Sequence, residues 1–223
     1  MRYLLFDADQ TIWNFKATEE IGLRSIFSSI GISYDSTSLD SYMIGNLQCW
    51  KEYEDGMLSL DELETKRWNL FFKRIGRNDL SAEDAAKRFK FLLAHNGRLL
   101  DGAEDFLKSI SDCPKSLVTN GISEIQRQRL KDTATDRFFE HIFISSEIGW
   151  HKPQKELFDE ILSVLGKKRE ECVMIGDSEH SDIAGANNAG IDSIYINFEG
   201  KTSLQATWSV SSYRELRDLI RRI

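Results

Sequence analysis

Short apolar runs, each ending in a polar residue, recur along this chain and constrain its fold more than any other feature. They are too brief for helices and are rich in Val, Ile and Phe, which is typical of strands buried in a parallel sheet. Helical patterns at 123–131, 154–165 and 182–189 separate the later runs, and this alternation predicts an α/β fold with a doubly wound sheet. The five predicted strands are Tyr3–Phe6, 116–118, His141–Ile144, 172–175 and 193–196.

The segment 15–96 has a different character, because it contains no convincing strand run and its large apolar residues recur at helical spacing. We therefore predict a helical cap domain at 15–96, inserted after the first strand. Residues 1–14 and 97–223 then form a Rossmann-like core domain around the parallel sheet. A separate partner-binding bundle is the alternative for the insertion. The residues expected on its inner helix faces are Trp50, Trp68, Leu70, Phe71 and Phe72.

Composition limits the possible partners of the chain. Its 223 residues carry a formal net charge of −7, whereas nucleic-acid phosphates favour a basic protein surface. Apolar runs are too short to cross a membrane or to form a signal peptide. The three cysteines, Cys49, Cys113 and Cys172, have no metal-binding spacing and are interpreted as reduced packing thiols. We expect a cytoplasmic protein, monomer or homodimer, that binds neither nucleic acid nor a membrane.

The first candidate site motif, D-x-D-x-T, ends the first predicted strand at Asp7 and Asp9. Side chains two apart in an extended segment point the same way, so these carboxylates can approach one site. Two such carboxylates need a metal ion or a shared proton, and they can divide the roles of nucleophile and general acid–base. A polar strand end or helix cap is the simpler interpretation of this motif alone.

Two further strand ends carry candidate phosphate-binding groups. Thr119 and Asn120 precede a predicted helix, where a hydroxyl and free backbone N–H groups can bind a phosphate, although a turn with a helix cap is the favoured interpretation of this motif alone. Lys152, just before Pro153, can place a point charge on phosphate, although most loop lysines are simply solvated.

The last candidate motif follows the strand at 172–175. Gly176 allows close backbone approach, and Asp177 is placed to hold a hard divalent cation through oxygen. Asp182 can orient Lys152 or a metal-bound water, or simply cap the following helix. Ligands of doubly wound sheets bind at the carboxyl ends of the strands, so the four motifs together predict one site.

In this order the motifs resemble those of the haloacid-dehalogenase superfamily of hydrolases. The resemblance covers essentially the whole chain, with the helical segment in the place of that superfamily's cap. It implies a Mg²⁺-dependent phosphate monoester hydrolase, with Mn²⁺ as a possible substitute ion, acting on a small-molecule phosphate ester through an aspartyl-phosphate. The motifs that match those of the superfamily are Asp7–Thr11, Thr119-Asn120-Gly121, Lys152-Pro153 and Gly176–Asp182.

The resemblance also implies a role for each residue. Asp7 is the nucleophile, Asp9 the general acid and base, and Lys152 the neutralising charge. Thr119 and the N–H of Asn120 bind phosphate oxygens. The implied metal ligands are Asp7, the backbone carbonyl of Asp9, and Asp177, with Asp182 in support.

A narrower resemblance links the chain to a bacterial pyrimidine 5′-nucleotidase subgroup, through residues 6–9, 175–183 and 206–212. It implies nucleoside monophosphates as substrates, and Trp13 and Phe15 are candidates to line the pocket beside the base. Trp50 and Tyr53 are weaker candidates, because cap core explains them better. The alternatives are a sugar-phosphate or phosphoglycolate phosphatase, a phosphomutase or phosphonatase, and a non-catalytic binding protein.

Overall fold

A parallel sheet organises the larger part of the chain in this computed structural model, which describes residues 2–223 apart from the side chain of Glu54. Its strand order is β3-β2-β1-β4-β5-β6, and every neighbouring pair is parallel. This confirms the predicted α/β class. The strands are β1 (Tyr3–Phe6), β2 (Lys115–Thr119), β3 (His141–Ile144), β4 (Cys172–Gly176), β5 (Asp192–Ile196) and β6 (Trp208–Val210).

Helices make up most of the remaining regular structure. A π-helical turn at Glu179–Ile183 leads directly into α9. The helices are α1 (Phe15–Ser29), α2 (Ser36–Glu54), α3 (Leu60–Arg74), α4 (Ala82–His95), α5 (Ala103–Ser109), α6 (Ser123–Thr133), α7 (Ser145–Ile148), α8 (Lys155–Leu165), α9 (Ala184–Ala189) and α10 (Tyr213–Ile220).

Both faces of the sheet are covered, because successive residues of a strand point to opposite sides. Leu4 and Phe6 of β1 belong to a buried cluster with apolar residues of α5 and α10. Tyr3 and Leu5 belong to a second cluster with residues of α8 and α9. Each fully buried apolar side chain stabilises the fold by about 1.5–3 kcal/mol. The strands are therefore apolar on both faces, which is why the sequence shows continuous runs rather than alternation.

The chain forms two compact units. One contains the described residues up to Phe15 together with Gly97–Ile223, and the other is Lys16–Asn96. The second unit is helical and is built on an aromatic cluster, in which Phe27 stacks on Phe71 at 4.9 Å between ring centroids. Trp68 meets Phe89 edge-on at 5.3 Å.

The predicted inner positions of the second unit divide into two groups. Trp68, Phe71 and Phe72 are buried, whereas Trp50 and Leu70 are only half-buried. Trp50 instead packs edge-to-face on Tyr53 at 5.9 Å between ring centroids, on the same helix.

The structure extends the predicted sheet by one strand. β6 has only three residues, with Ser209 in the middle, so it lacks the apolar run by which the other strands were found. β2 begins one residue earlier than predicted, at Lys115, whose buried ammonium donates to the carbonyls of Ile110 and Cys113 at 2.8 and 2.9 Å. Within the described residues, no helix has the length and apolar character needed to cross a membrane.

Candidate active site

The carboxyl ends of β1 and β4 meet where the chain reverses its direction across the sheet. From β1 the chain proceeds to β2 and β3 on one side, then returns to β4 on the other side of β1. Ligands of doubly wound sheets bind in the crevice at this switch point. Asp7 follows β1 and Asp177 follows β4, and the N–H of Asp7 donates to the carbonyl of Ile175 at 2.8 Å. Both carboxylates therefore flank the crevice.

A buried lysine joins two of the predicted site carboxylates. Lys152 Nζ donates to Asp7 Oδ1 at 2.5 Å, to Asp182 Oδ1 at 2.7 Å, and to the carbonyl of Val118 at 3.0 Å. These contacts use all three hydrogens of the ammonium group. Lys152 is 1% exposed and Asp182 is fully buried, so neither charge is stable without the other. Lys152 is thus a fixed positive charge beside Asp7.

The side chain of Asn120 holds the backbone of Lys152 in place. Its Nδ2 donates to the carbonyl of Lys152 at 2.7 Å, and its Oδ1 accepts from the N–H of Lys152 at 2.8 Å. The family resemblance implies a role only for the backbone N–H of Asn120, as a donor to phosphate. The side-chain contact adds a positioning role, in which the loop after β2 fixes the loop that carries the lysine.

Three carboxylates at the crevice form a group that fits a divalent cation. Oxygens of Asp7, Asp177 and Asp182 all lie within 4.8 Å of one another. Such hard oxygen donors are those that Mg²⁺ prefers. The side chain of Asp9 does not belong to this group of carboxylates. Its backbone carbonyl stays a predicted ligand of the metal ion.

Electrostatics favour a cation in this group. Burial raises the pKa of Asp7 well above its usual range, although the positive charge of Lys152 opposes this rise. The negative charges of Asp182 and Asp177 raise the pKa of Asp7 further. Burial, followed by the charge of Asp182, raises the pKa of Asp177 to about 7. Carboxylates that resist ionising together are stabilised by a bound divalent ion. The donor set therefore fits the implied metal.

Gly176 allows Asp182 to lie against the end of β4. A Cβ atom at position 176 would lie 2.1 Å from Asp182 Oδ2, so no larger residue fits without displacing this carboxylate. The same oxygen accepts from the N–H of Ser178 at 3.0 Å. Of the roles that the sequence left open for Asp182, orienting Lys152 is the one that these contacts support directly.

Thr119 lies at the end of β2 and is 2% exposed. Its Oγ1 accepts from the N–H of Gly121 at 3.2 Å and from Gln126 Nε2 at 2.8 Å. A hydroxyl has two acceptor positions and one hydrogen. With both acceptor positions used, the hydrogen is available for an anion, as the predicted phosphate-binding role requires.

Asp9 is held by two residues that the sequence interpretation missed. Arg129 Nη1 donates to Asp9 Oδ1 at 2.8 Å, and Gln126 Nε2 donates to Asp9 Oδ2 at 3.1 Å. Both lie on α6, three residues apart and so on one helix face. The three-residue spacing indicates from the sequence that Gln126 and Arg129 share a helix face. It does not show which part of the protein that face contacts.

Trp13 lies in the buried cluster of the first unit and is 2% exposed. The Arg129 guanidinium carbon lies 5.7 Å from the centroid of the Trp13 ring and 5.3 Å from that of Phe15. Both aromatic side chains therefore pack around the arginine that binds Asp9. Contact of Trp13 with a substrate stays a prediction.

Comparison with known proteins decides the family. The family model for haloacid dehalogenase-like hydrolases matches residues 1–190. The chain belongs to this family. The resemblance read from the motifs is thereby confirmed.

Relatives match the chain over nearly its full length. Pyrimidine 5′-nucleotidase PynA of Streptococcus pneumoniae is 35% identical to this chain, and the match covers 98% of this chain and 94% of the PynA chain. Pyrimidine 5′-nucleotidase YjjG of Escherichia coli is 30% identical, over 98% of this chain and 97% of its own. The magnesium-bound crystal structure of the HAD-hydrolase YfnB from Bacillus subtilis superposes with a TM-score of 0.88 at 30% identity, covering 98% of each chain.

Proposed function

We propose that this hydrolase is a Mg²⁺-dependent phosphatase that forms an aspartyl-phosphate on Asp7 and acts on pyrimidine nucleoside 5′-monophosphates. The observation that carries the proposal is the contact of Asp7 with the buried Lys152, beside the carboxylates of Asp177 and Asp182. This arrangement offers a nucleophile, a fixed positive charge and a cation site at one point. Phosphoryl transfer depends mainly on such positioning and charge neutralisation.

The first step transfers the phosphoryl group to the enzyme. Lys152 holds Asp7 Oδ1, so Oδ2 is the oxygen that attacks phosphorus. As the new P–O bond forms, the ester P–O bond breaks, and protonated Asp9 gives its proton to the leaving alkoxide. The Thr119 hydroxyl and the Asn120 N–H donate to phosphoryl oxygens, and the products are the alcohol and an acyl phosphate on Asp7.

The second step releases phosphate. Asp9, now a carboxylate, takes a proton from a water molecule whose oxygen attacks phosphorus. The bond between phosphorus and the Asp7 oxygen breaks, which returns Asp7 as a carboxylate and Asp9 in its protonated form. Inorganic phosphate leaves, and each group is restored.

Mg²⁺ would be held by Asp7 and Asp177, with Asp182 in support and the carbonyl of Asp9 as a further predicted ligand. When bound, it supplies positive charge that offsets the negative charge of phosphate and carboxylates. Mn²⁺ has the same preference for oxygen ligands and should replace it.

The substrate class rests on the relatives and on the aromatic residues. Two of the similar proteins are named pyrimidine 5′-nucleotidases, and both match this chain over nearly its full length. Trp13 and Phe15 follow the nucleophile closely in sequence. Phe15 is half-buried and can present part of its ring to a base, whereas Trp13 is buried and would have to become accessible to do so. Pyrimidine monophosphates are therefore the expected substrates.

The test measures released phosphate with Mg²⁺, with Mn²⁺ and with EDTA. The panel contains dUMP, UMP, dTMP, purine monophosphates, hexose phosphates, phosphoglycolate and a phosphonate. We expect metal-dependent release with the highest kcat/KM for pyrimidine monophosphates. Asp7→Asn should abolish turnover, whereas Asp218→Asn, an exposed aspartate on α10, should not change it.

Each contrary result has a distinct meaning. Preference for sugar phosphates would overturn the substrate class and leave the reaction standing. An isomerised sugar phosphate or an aldehyde as product would indicate a mutase or a phosphonatase. No release from any ester by folded, metal-loaded protein would overturn the phosphatase proposal.

A further inference from the structure

Two buried side chains on α6 bind both oxygens of Asp9. Gln126 and Arg129 are each 1% exposed. Arg129 donates to Asp9 Oδ1 at 2.8 Å, and Gln126 donates to Asp9 Oδ2 at 3.1 Å. A carboxylate held at both oxygens cannot rotate freely about its terminal bond. The direction in which Asp9 presents its oxygens is therefore set by α6.

Arg129 also fixes the orientation of the Gln126 amide. Its Nη1 donates to Gln126 Oε1 at 3.2 Å. A guanidinium group only donates hydrogen bonds, so the carbonyl side of the amide must face Arg129. The NH₂ side is consequently directed away from Arg129, towards Asp9 and Thr119.

Gln126 connects Asp9 with Thr119 through one nitrogen. Its Nε2 donates to Asp9 Oδ2 at 3.1 Å and to Thr119 Oγ1 at 2.8 Å, which matches the two hydrogens of the group. The general acid–base of the proposed mechanism and its phosphate-binding hydroxyl are thus separated by a single amide. A shift of Gln126 would disturb both of them.

Two glycines provide the space that this arrangement needs. A Cβ atom at Gly121 would lie 2.2 Å from Gln126 Nε2, and one at Gly97 would lie 3.0 Å from Arg129 Cγ. These separations are independent of the hydrogen bonds. They show that a side chain at Gly121 would occupy the space of the Gln126 amide, and that a side chain at Gly97 would crowd Arg129.

We propose that Gln126 and Arg129 are positioning residues, which hold Asp9 for proton transfer to the leaving group and turn the Thr119 hydroxyl towards the phosphoryl group. The inference rests on the proposed function and deepens it. A buried guanidinium group needs a paired negative charge, and Arg129 pairs with the carboxylate of Asp9, the acid–base residue.

The variants are Gln126→Met, which keeps the side-chain length, and Arg129→Met, which keeps an apolar stem in place of the arginine; both remove the polar contacts. The same helix supplies matched controls, Gln128→Met and Arg127→Met. Gln128 bonds Asp132 and Arg127 bonds Glu147, both at the protein surface and away from Asp9. Arg129→Lys retains the positive charge and tests partial rescue.

The measurement compares kcat/KM for two esters that differ in leaving group. p-Nitrophenyl phosphate has a leaving group that departs without a proton, whereas an alkyl ester such as UMP needs one. Since kcat/KM covers only the steps up to departure of the alcohol, it does not depend on hydrolysis of the acyl phosphate. General acid–base catalysis contributes roughly 10²–10⁴-fold, so we expect a loss of about 10²-fold or more for UMP and about 10-fold or less for the aryl ester.

A purely structural role would lower kcat/KM for both esters alike, and that result would overturn the inference. Unchanged kcat/KM in both variants would do the same. If Arg129→Met fails to fold by circular dichroism, Gln126→Met and Arg129→Lys decide the matter with the same ratio. A wild type inactive on every ester would instead overturn the proposed function, which separates the two failures.

Discussion

Lys152 determines the charge balance of the site. Burial alone would lower its pKa, but Asp182 and Asp7 outweigh that effect and raise it, so the lysine stays charged at every physiological pH. Its charge in turn opposes the rise in the pKa of Asp7 that burial produces. Lys152 is therefore the positive charge that the buried carboxylates of Asp7 and Asp182 share.

Replacing this lysine should destabilise the protein strongly. Lys152→Met leaves Asp7 and Asp182 buried without their shared partner, and breaking a buried pair in this way costs about 3–5 kcal/mol. Lys155→Met is the matched control, because Lys155 is exposed and its pair with Asp159 on α8 is worth about 0.5 kcal/mol or less. The measurement is the free energy of unfolding in urea with EDTA present. Equal losses in the two variants would contradict the role given to Lys152.

At the level of elements, the close packing of α9 on α8 supports the loop that carries Lys152. A Cβ atom at Gly185 would lie 2.7 Å from Phe158 Cε2 and 3.2 Å from Pro153 Cα. Asn188 Nδ2 also donates to the carbonyl of Pro153 at 3.0 Å. The helix that follows the β4 motif thus packs directly against the residue next to Lys152.

We expect Gly185→Ala to lower both stability and activity. The added methyl group must displace Phe158 or the loop at Pro153, and overpacking of this kind costs about 1–3 kcal/mol. Asn187→Ala, at an exposed position of the same helix, should leave both nearly unchanged. Thermal unfolding and kcat/KM for UMP are the two measurements. Wild-type values for Gly185→Ala would show that the loop adapts without consequence.

The sequence predicted the bounds of a strand correctly where the strand's own residues form a clear apolar run. β1 and β3 agree with their predicted bounds, because each is an apolar run ended by polar residues. β6 was missed since its three residues are held by pairing with β5, not by an apolar run of their own. Gln126 and Arg129 were missed for a related reason: their partner Asp9 is 120 positions from Arg129, and only tertiary packing brings the two together.

At the scale of the whole molecule, the three cysteines report on its two units separately. Cys49 lies in the helical unit, and Cys113 and Cys172 lie in the unit built on the sheet. All three are buried, and burial raises the pKa of each thiol, that of Cys172 to about 11. The thiolate is the reactive form, so the folded protein should react very slowly with thiol reagents.

This gives a prediction about unfolding. In increasing urea, pulse alkylation followed by peptide mass spectrometry should show protection of all three cysteines in the native state. If the two units unfold independently, Cys49 will become reactive at a different urea concentration from Cys113 and Cys172. If they unfold together, the three midpoints will coincide. Rapid labelling of any of them without urea would contradict the burial described here.

The central position of β1 has a consequence for how the chain is made. β1 is synthesised first, yet its neighbours in the sheet pair Leu4 with Lys115 on one side and with Val173 on the other. A growing chain on the ribosome therefore holds an apolar strand without a partner until β2 has emerged, and with only one of its two neighbours until β4 has emerged. The helices of Lys16–Asn96, whose contacts are local, can form much earlier. Nascent chains should thus depend on chaperones until β4 has been synthesised and can pair with β1.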